Sequence, residues 1–220
     1  MSGDFGTNQS ANLSAKMGAN LTHDLNIAIF GGSFNPPHKG HSAIIESALR
    51  CEKINFLIIL PNFKNPLKHE SAPFLSDKSR FEILESMAQK IAKITNATFY
   101  KNPPNPQDLA QNHKKIILLS NYEVAQKKPS FAIHSILHFK NLYAPKNLYF
   151  IIGADILGEL EKWHKIGEIR KEARFIVATR DNIPIPSEFL QFQIDENISS
   201  TAIRNAYHSK QNGTNLADLK

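Results

Sequence analysis

The chain has 220 residues, of which 41% are hydrophobic and 21% charged, a composition that is ordinary for a soluble globular protein. It shows no apolar run near the ~20 residues of a membrane span, no secretory signal pattern and only one cysteine, so we expect a cytoplasmic protein without disulfides or a membrane partner. The formal net charge of +6 permits a nucleotide substrate but does not indicate one. Because the basic residues are dispersed, we expect no nucleic-acid partner.

The apolar pattern of the chain changes abruptly at Leu25. Residues 1–24 are rich in Ser, Asn, Gly and Ala and predict a disordered N-terminal tail. Short apolar runs then alternate with stretches in which apolar residues recur at helical spacing. The runs predict strands at 26–31, 54–60, 115–120, 147–152 and 174–178. The periodic stretches predict helices at 39–51, 76–93, 131–140, 155–162 and 199–210, and Pro and Asn residues predict a loop at 101–113.

This alternation of buried strands and helices is typical of an α/β fold. We predict a doubly wound, Rossmann-like and mostly parallel sheet with helices on both faces, linked by right-handed crossovers. One domain should span residues 25–210, followed by a C-terminal tail at 211–220. Because ligands of doubly wound folds bind at the carboxyl ends of the strands, the segments that follow the strands are the candidates for a functional site.

The segment between the first predicted strand and the first predicted helix, residues 31–41, reads Gly-Gly-Ser-Phe-Asn-Pro-Pro-His-Lys-Gly-His. Paired glycines let the backbone turn sharply beside a ligand, and a helix start directs free N–H groups towards an anion. His38 and His41 share one face of the first helical turn, where two imidazoles could donate hydrogen bonds to phosphate. The spacing also permits a metal pair, although no third ligand is evident, and a plain turn with two surface histidines stays open.

A second segment, residues 198–204, reads Ile-Ser-Ser-Thr-Ala-Ile-Arg and begins the last predicted helix. Any of Ser199, Ser200 and Thr201 can cap this helix and leave hydroxyl and N–H groups facing a phosphate. Arg204 lies about one turn further on, where its guanidinium can reach the same anion with paired donors. Taken alone, the segment is simply a capped helix with a solvated arginine, but its pairing with the first motif favours a shared phosphate site.

Together the two motifs resemble the signature of the nucleotidylyltransferase superfamily, with its His-x-Gly-His and Ile-Ser-Ser-Thr-x-Ile-Arg motifs. Class I aminoacyl-tRNA synthetases carry a related histidine motif, but they are much longer, and we find no Lys-Met-Ser-Lys-Ser-like loop here. The resemblance continues at Arg80 and covers roughly residues 26–206. It implies an ATP site formed by Gly31, Gly32, Ser33, Phe34, His38, Gly40, His41, Ile198, Ser199, Ser200, Thr201 and Arg204.

The middle of the chain resembles one branch of that superfamily, the bacterial nicotinate-mononucleotide adenylyltransferases. The resemblance lies in residues 151–157, Ile-Ile-Gly-Ala-Asp-Ile-Leu, and in the Trp163-His164 pair that follows them. The Trp163 indole could stack on a pyridine ring, and Asp155 could bind ribose hydroxyls, although a core or rim tryptophan is the commoner case. The resemblance implies an acceptor site formed by Asn35, Lys68, Ser130, Gly153, Asp155, Trp163, His164 and Arg180.

Two departures from the pattern of that branch concern the acceptor. Where the family often has Pro-Pro-His-Lys, residues 65–68 read Asn-Pro-Leu-Lys, so Lys68 stays a candidate phosphate contact but the histidine is absent unless His69 replaces it. Where the family has Ser-Tyr-Thr, residues 130–132 read Ser-Phe-Ala, which removes a hydroxyl expected to touch the acceptor. The upstream Glu123 matches the pattern.

The resemblance implies adenylyl transfer from ATP to nicotinate mononucleotide, which gives nicotinate adenine dinucleotide and pyrophosphate in NAD biosynthesis. His38, His41, Lys68 and Arg204 are the expected catalytic donors; Mg²⁺ is expected with the triphosphate, and no metal site of the protein's own is expected. The alternatives are nicotinamide mononucleotide or phosphopantetheine as the acceptor, or a non-catalytic nucleotide- or RNA-binding module. A homo-oligomer is compatible with the sequence, which does not determine the oligomeric state.

Overall fold

A seven-stranded parallel sheet with helices on both faces is formed by the residues that the structure, a computed structural model, describes. These are residues 25–67, 74–110, 114–180, 183–196 and 198–211. The predicted N-terminal tail and all but the first residue of the predicted C-terminal tail lie outside them, as do Lys68 and His69. Within this described part of the chain, no helix has both the length and the apolar content that a membrane crossing requires.

The secondary structure follows the predicted order of elements. The strands are β1 (Asn26–Gly32), β2 (Phe56–Pro61), β3 (Thr98–Tyr100), β4 (Ile116–Leu119), β5 (Asn147–Gly153), β6 (Arg174–Ala178) and β7 (Leu190–Phe192). The helices are α1 (Lys39–Arg50), α2 (Asp77–Thr95), α3 (Pro106–Ala110), α4 (Tyr122–Gln126), α5 (Ala132–Tyr143), α6 (Ile166–Glu172) and α7 (Ser200–Gln211), with a 3₁₀ helix at Ala154–Lys162. Every predicted strand and helix is present, with its ends shifted by at most a few residues.

Five short elements were not predicted: β3, β7, α3, α4 and α6. Each has seven residues or fewer, too few to establish a hydrophobic period. Helix α3 lies inside the stretch 101–113, so the prediction of a loop is wrong for Pro106–Ala110. The side-chain oxygen of Asn105 accepts a hydrogen bond from the backbone N–H of Gln107, which helps this turn of helix to begin.

The strand order is β3-β4-β2-β1-β5-β6-β7, with β1 near the centre of the sheet. β1 pairs with β2 on one side and with β5 on the other, so that Ile29 lies beside both Ile58 and Phe150. After β1 the chain forms β2, β3 and β4 on one side of β1, and then crosses to the other side to form β5, β6 and β7. This reversal opens a crevice at the carboxyl ends of β1 and β5, the switch point of a doubly wound fold. The predicted fold class is confirmed.

The alternating side chains of β1 belong to two separate cores, one on each face of the sheet. Ile29 packs in one core with Phe139 of α5. Ala28 packs in the other core with Ala48 of α1 and Leu84 of α2. All five side chains are fully buried, and burial of a large apolar side chain contributes about 1.5–3 kcal/mol. The sheet is therefore a firm base for the loops at its carboxyl edge.

Candidate active site

A cleft of about 630 Å³ opens at the carboxyl ends of β1, β5 and β6, in the switch-point crevice. Its volume lies within the usual range for small-molecule sites. We call the part lined by His38, His41 and residues 198–201 the histidine half, and the part lined by residues 130–132 and Trp163 the tryptophan half.

The cleft gathers nearly all residues predicted to bind ligands. Every residue predicted for ATP lines it, as do six of those predicted for the acceptor: Ser130, Gly153, Asp155, Trp163, His164 and Arg180. Asn35 does not line the cleft, because its side chain is buried and its Oδ1 accepts a hydrogen bond from the Leu75 N–H at 2.8 Å. The structure thus gives Asn35 a different role, joining the loop after β1 to the approach to α2. Lys68 falls outside the described residues.

His38 and His41 lie at the start of α1 with their rings in contact. The ring centroids are 3.7 Å apart. The backbone N–H of His38 donates a hydrogen bond to Nδ1 of His41 at 3.1 Å, which caps the beginning of the helix. Because Nδ1 is the acceptor, the proton of a neutral His41 ring lies on Nε2. His41 therefore has one N–H donor left for a ligand.

The pKa of each histidine is lowered, which favours the neutral form of both rings at neutral pH. Burial, followed by the positive charge of Arg180, lowers the pKa of His38 to about 4. Burial also lowers the pKa of His41 well below its usual value, and His38 and Arg180 lower it further. Nδ1 of His38 is buried and has no hydrogen-bond partner among the described residues, so nothing at that atom compensates for the solvation that a protonated ring would lose. The pair can therefore bind phosphate through neutral hydrogen-bond donors.

The packing around the first motif explains two of its residue types. A Cβ on Gly40 would lie 3.1 Å from Cε1 and Nδ1 of His38, so a larger residue would displace that ring. Phe34 has a φ of 45°, a left-handed conformation that costs a residue with a side chain about 1–2 kcal/mol. Burial of the Phe34 ring offsets this cost, with centroids 5.2 Å from Phe30 and 4.8 Å from His41. The aromatic contact fixes the loop beside the histidines.

The second motif holds the loop of the first motif through α7. Ser199 caps this helix, since its Oγ accepts a backbone N–H of the first turn at 3.0 Å. Ser200 Oγ donates to the carbonyl of Pro36 at 2.9 Å, and Arg204 Nη1 donates to the carbonyl of Asn35 at 2.7 Å. These hydrogen bonds join residues that are 164 and 169 positions apart in the chain. Arg204 thus supports the first motif as well as lining the cleft.

Arg80 of α2 ties together the ends of β1 and β2. Its side chain is buried, and its Nη1 donates to the carbonyl of Ser33 at 2.6 Å and to that of Asn62 at 3.1 Å. Asp77 supplies a carboxylate partner for the same guanidinium. A guanidinium keeps its charge when it is buried, so it requires such acceptors. The sequence pattern marks Arg80 as a family position but does not reveal that it is buried under the site.

Arg180 lies in the histidine half of the cleft, although it was predicted to bind the acceptor. Its Nη1 donates to Oδ2 of Asp155 at 3.2 Å, and its Nη2 donates to the carbonyl of Ile198 at 3.4 Å. Gly153 leaves room for this ion pair, because a Cβ there would lie 2.3 Å from Oδ1 of Asp155. Since its charge also reaches both histidines, Arg180 is placed to meet an anion bound beside them.

Trp163 stands at the end of the 3₁₀ helix and lines the tryptophan half of the cleft. Its half-buried ring meets Phe150 and Phe175 edge to face, with centroids 5.8 Å and 6.2 Å apart. The neighbouring His164 ring contacts Phe131, which precedes α5, at 4.8 Å. The indole therefore packs against the core and borders the cleft at once. This aromatic wall is suited to a flat ring.

Glu123 is a cleft residue to which the sequence assigned no role. It is only 8% exposed, and its carboxylate accepts a hydrogen bond from Ser135 Oγ at 2.5 Å. Burial raises the pKa of Glu123, whereas the hydrogen bonds from Ser135 and Ser130 oppose that shift. A single glutamate in the five-residue helix α4 gives no periodic signal. Only its match to the family pattern could have drawn attention to it.

The sequence of this chain matches the model of a family described as cytidylyltransferase-like over residues 29–206, a range that contains both motifs. A probable nicotinate-nucleotide adenylyltransferase of Campylobacter fetus is 40% identical over 182 residues, which cover 82% of this chain and 86% of that protein. A protein of the same description from Nitratiruptor is 37% identical over 181 residues, with 82% and 88% covered.

One solved structure with a similar fold is the nicotinic acid mononucleotide adenylyltransferase of Plasmodium falciparum, complexed with NaAD. It superimposes with a TM-score of 0.58 at 18% sequence identity, and the match covers 82% of this chain and 83% of that one. At this level of identity the likeness shows the fold alone.

Proposed function

The chain belongs to the cytidylyltransferase-like family, and we propose that within it the chain transfers the adenylyl group of ATP to nicotinate mononucleotide, giving nicotinate adenine dinucleotide and pyrophosphate in NAD biosynthesis. One observation supports the reaction type: hydrogen bonds bring the first and second motifs together around a single cleft. The relatives described as nicotinate-nucleotide adenylyltransferases support the choice of acceptor. Consumption of ATP favours the cytoplasm as the place of reaction.

The reaction requires alignment of its substrates rather than a general base. A phosphate monoester has a second pKa of ~6, so the acceptor is largely ionised at neutral pH. Its phosphate oxygen attacks the α-phosphorus of ATP in line, the bond from that phosphorus to the bridging oxygen breaks, and pyrophosphate leaves with the electron pair. The protein must hold two anions together and stabilise the charge that develops on the leaving group.

The histidine half contains suitable donors for this task. His41 offers the N–H on Nε2, and the N-terminal turn of α1 directs backbone N–H groups at the same region. Arg180 and Arg204 bring positive charge to the same half of the cleft. We assign the triphosphate of ATP to this half. Lys68, which the resemblance suggests, is a further proposed contact to phosphate.

We propose that Mg²⁺ enters the cleft with ATP, bound to the phosphate oxygens. Among the described residues, no cluster of three or more His, Cys, Asp and Glu side chains could hold a metal ion by itself. A cleft that binds the metal as part of its substrate needs no such cluster. The ion would neutralise triphosphate charge and assist departure of pyrophosphate.

The tryptophan half is our proposed site for the pyridine and ribose of the acceptor. The pyridine ring stacks on Trp163, and His164 borders it. Asp155 uses Oδ2 for its ion pair with Arg180, and we assign Oδ1 to a ribose hydroxyl. Ala132 lines the cleft at the start of α5, so the missing threonine hydroxyl is a change within the site itself. Backbone N–H groups of that helix start can still receive the nicotinate carboxylate.

The test is pyrophosphate release from Mg-ATP with nicotinate mononucleotide, nicotinamide mononucleotide and phosphopantetheine offered in parallel. We expect the highest kcat/KM with nicotinate mononucleotide. Preference for another acceptor would keep the chemistry and reject the acceptor. A folded protein that binds ATP but releases pyrophosphate with none of the three would contradict the proposal. Salt-sensitive RNA binding without turnover would favour a binding module instead.

A further inference from the structure

The turn formed by residues 62–67, which follows β2, forms part of the cleft wall. Most of its side chains are in water; Phe63 is 39% exposed and Leu67 is 42% exposed. Lys64 and Pro66 are exposed as well. Burial of apolar surface therefore cannot hold the 62–67 turn, and its conformation must depend on polar contacts.

Two sets of hydrogen bonds anchor the 62–67 turn, one on each side. On the side of the histidine half, the N–H of Asn62 donates to the carbonyl of Gly32 at 2.9 Å. On the other side, the N–H of Phe63 donates to Ser130 Oγ at 3.0 Å, and the N–H of Ser130 donates to the carbonyl of Lys64 at 2.9 Å. The middle of the turn is thus held by a residue of the tryptophan half.

The Ser130 hydroxyl lies near the buried carboxylate of Glu123 and helps to lower the pKa of that carboxyl. A Ser130 proton directed at Glu123 leaves the oxygen lone pairs for the N–H of Phe63, which donates to that oxygen at 3.0 Å. Ser135 donates a second hydroxyl to the same carboxylate at 2.5 Å. The Ser130 hydroxyl therefore lies between the N–H of Phe63 and the carboxylate of Glu123. Hydrogen bonds that share one hydroxyl reinforce one another.

We propose that Glu123 is a positioning residue for the acceptor, which holds the 62–67 turn against the tryptophan half of the cleft through Ser130. This inference rests on the proposed function, because it assigns the tryptophan half to the acceptor. The other end of the turn is held independently, since Arg80 binds the carbonyl of Asn62. Loss of Glu123 should therefore disturb acceptor binding and leave the ATP contacts in place.

The experiment measures KM for nicotinate mononucleotide, KM for ATP and kcat in the full-length chain and its variants. Glu123→Ala should raise the acceptor KM about tenfold, the effect of one lost hydrogen bond, with little change in the ATP KM. Glu123→Gln, which keeps the shape and one acceptor oxygen, should have a smaller effect. Asn147→Ala is the matched control: it removes a 2.7 Å hydrogen bond to Asn26 at the opposite end of the sheet and should leave both KM values unchanged.

A double-mutant cycle tests whether Glu123 acts through Ser130. Ser130→Ala should raise the acceptor KM as Glu123→Ala does. The acceptor KM of the double variant should be no higher than that of the more impaired single variant, because both changes break the same link to the turn. Independent effects that multiply would overturn the proposal, as would an acceptor KM unchanged in Glu123→Ala. If Glu123→Ala does not fold, Glu123→Gln and Ser130→Ala provide the same test. An inactive wild-type protein would defeat the proposed function itself, whereas an active wild type with insensitive variants defeats only the positioning role.

Discussion

Replacing His41 by asparagine or by glutamine removes the function of one ring nitrogen at a time. An asparagine amide reaches the position of Nδ1, where its oxygen can still accept the His38 N–H that now donates at 3.1 Å. A glutamine amide reaches the position of Nε2, where its nitrogen can still donate to phosphate. The first variant keeps the helix cap and loses the phosphate donor, and the second does the reverse.

The loss of the phosphate donor should lower kcat, whereas the loss of the helix cap should lower folding stability. His41→Asn should lower kcat by ~10²–10³, the usual result of removing one well-placed donor to developing charge. His41→Gln should keep part of that rate but lose about 1 kcal/mol of folding stability with the cap. Both variants also lose the ring contacts with His38 and Phe34, at 3.7 Å and 4.8 Å between centroids. This packing loss is common to the two and cancels in their comparison.

Pyrophosphate release at saturating Mg-ATP and nicotinate mononucleotide measures the first effect, and thermal unfolding measures the second. For a chain of this length, about 1 kcal/mol corresponds to roughly 2–4 °C in Tm. His41→Ala serves as the reference that lacks both functions. The reasoning is refuted if His41→Asn turns over at the wild-type rate, or if it is no more stable than His41→Gln.

Two further predictions concern the same half of the cleft. The fold should lose stability as the pH falls from 6.5 towards 4, because His38, with its pKa lowered to about 4, takes up its proton more readily in the unfolded chain. Chemical denaturation at several pH values should show a weaker dependence in His38→Gln; an equal dependence would contradict the pKa. Gly153→Ala should displace the Asp155 carboxylate, because Oδ1 would lie 2.3 Å from the new Cβ. Arg180 would then lose the ion pair that holds it beside the histidines, so we expect the ATP KM to rise. The exposed ion pair contributes about 1 kcal/mol or less to folding stability, so Tm is expected to change little. An unchanged ATP KM would contradict this prediction.

The elements that could be predicted from the sequence are those whose buried residues form a continuous or periodic pattern of apolar side chains. β1 and β2 are continuous apolar runs because both faces of a parallel sheet are covered, and α1 and α2 repeat apolar residues along one side. Helices α4 and α6, with five and seven residues, are too short to be stable by themselves. Tertiary contacts stabilise these two helices, and such contacts cannot be predicted from the local sequence.

The candidate site was predicted from residue types and order, which do not say which way a side chain turns. Asn35 belongs to the first motif, yet it serves the loop by its buried amide and by its carbonyl, which Arg204 binds. Arg80 and Glu123 support the cleft from buried positions, although arginine and glutamate are usually exposed. The roles of these two residues depend on hydrogen-bond acceptors and donors from other elements, so these roles could not be predicted from the sequence.

The chemistry of the first motif depends on the second in a way that neither motif reveals alone. His38 and His41 owe part of their low pKa to the charge of Arg180, and Arg180 donates to the carbonyl of Ile198 at the start of the second motif. Arg204 in turn holds the loop before the histidines. The last helix therefore helps to set the position of residues near the beginning of the domain. The lowered pKa of the histidine pair thus depends first on burial in the assembled cleft and then on Arg180, a residue that belongs to neither motif.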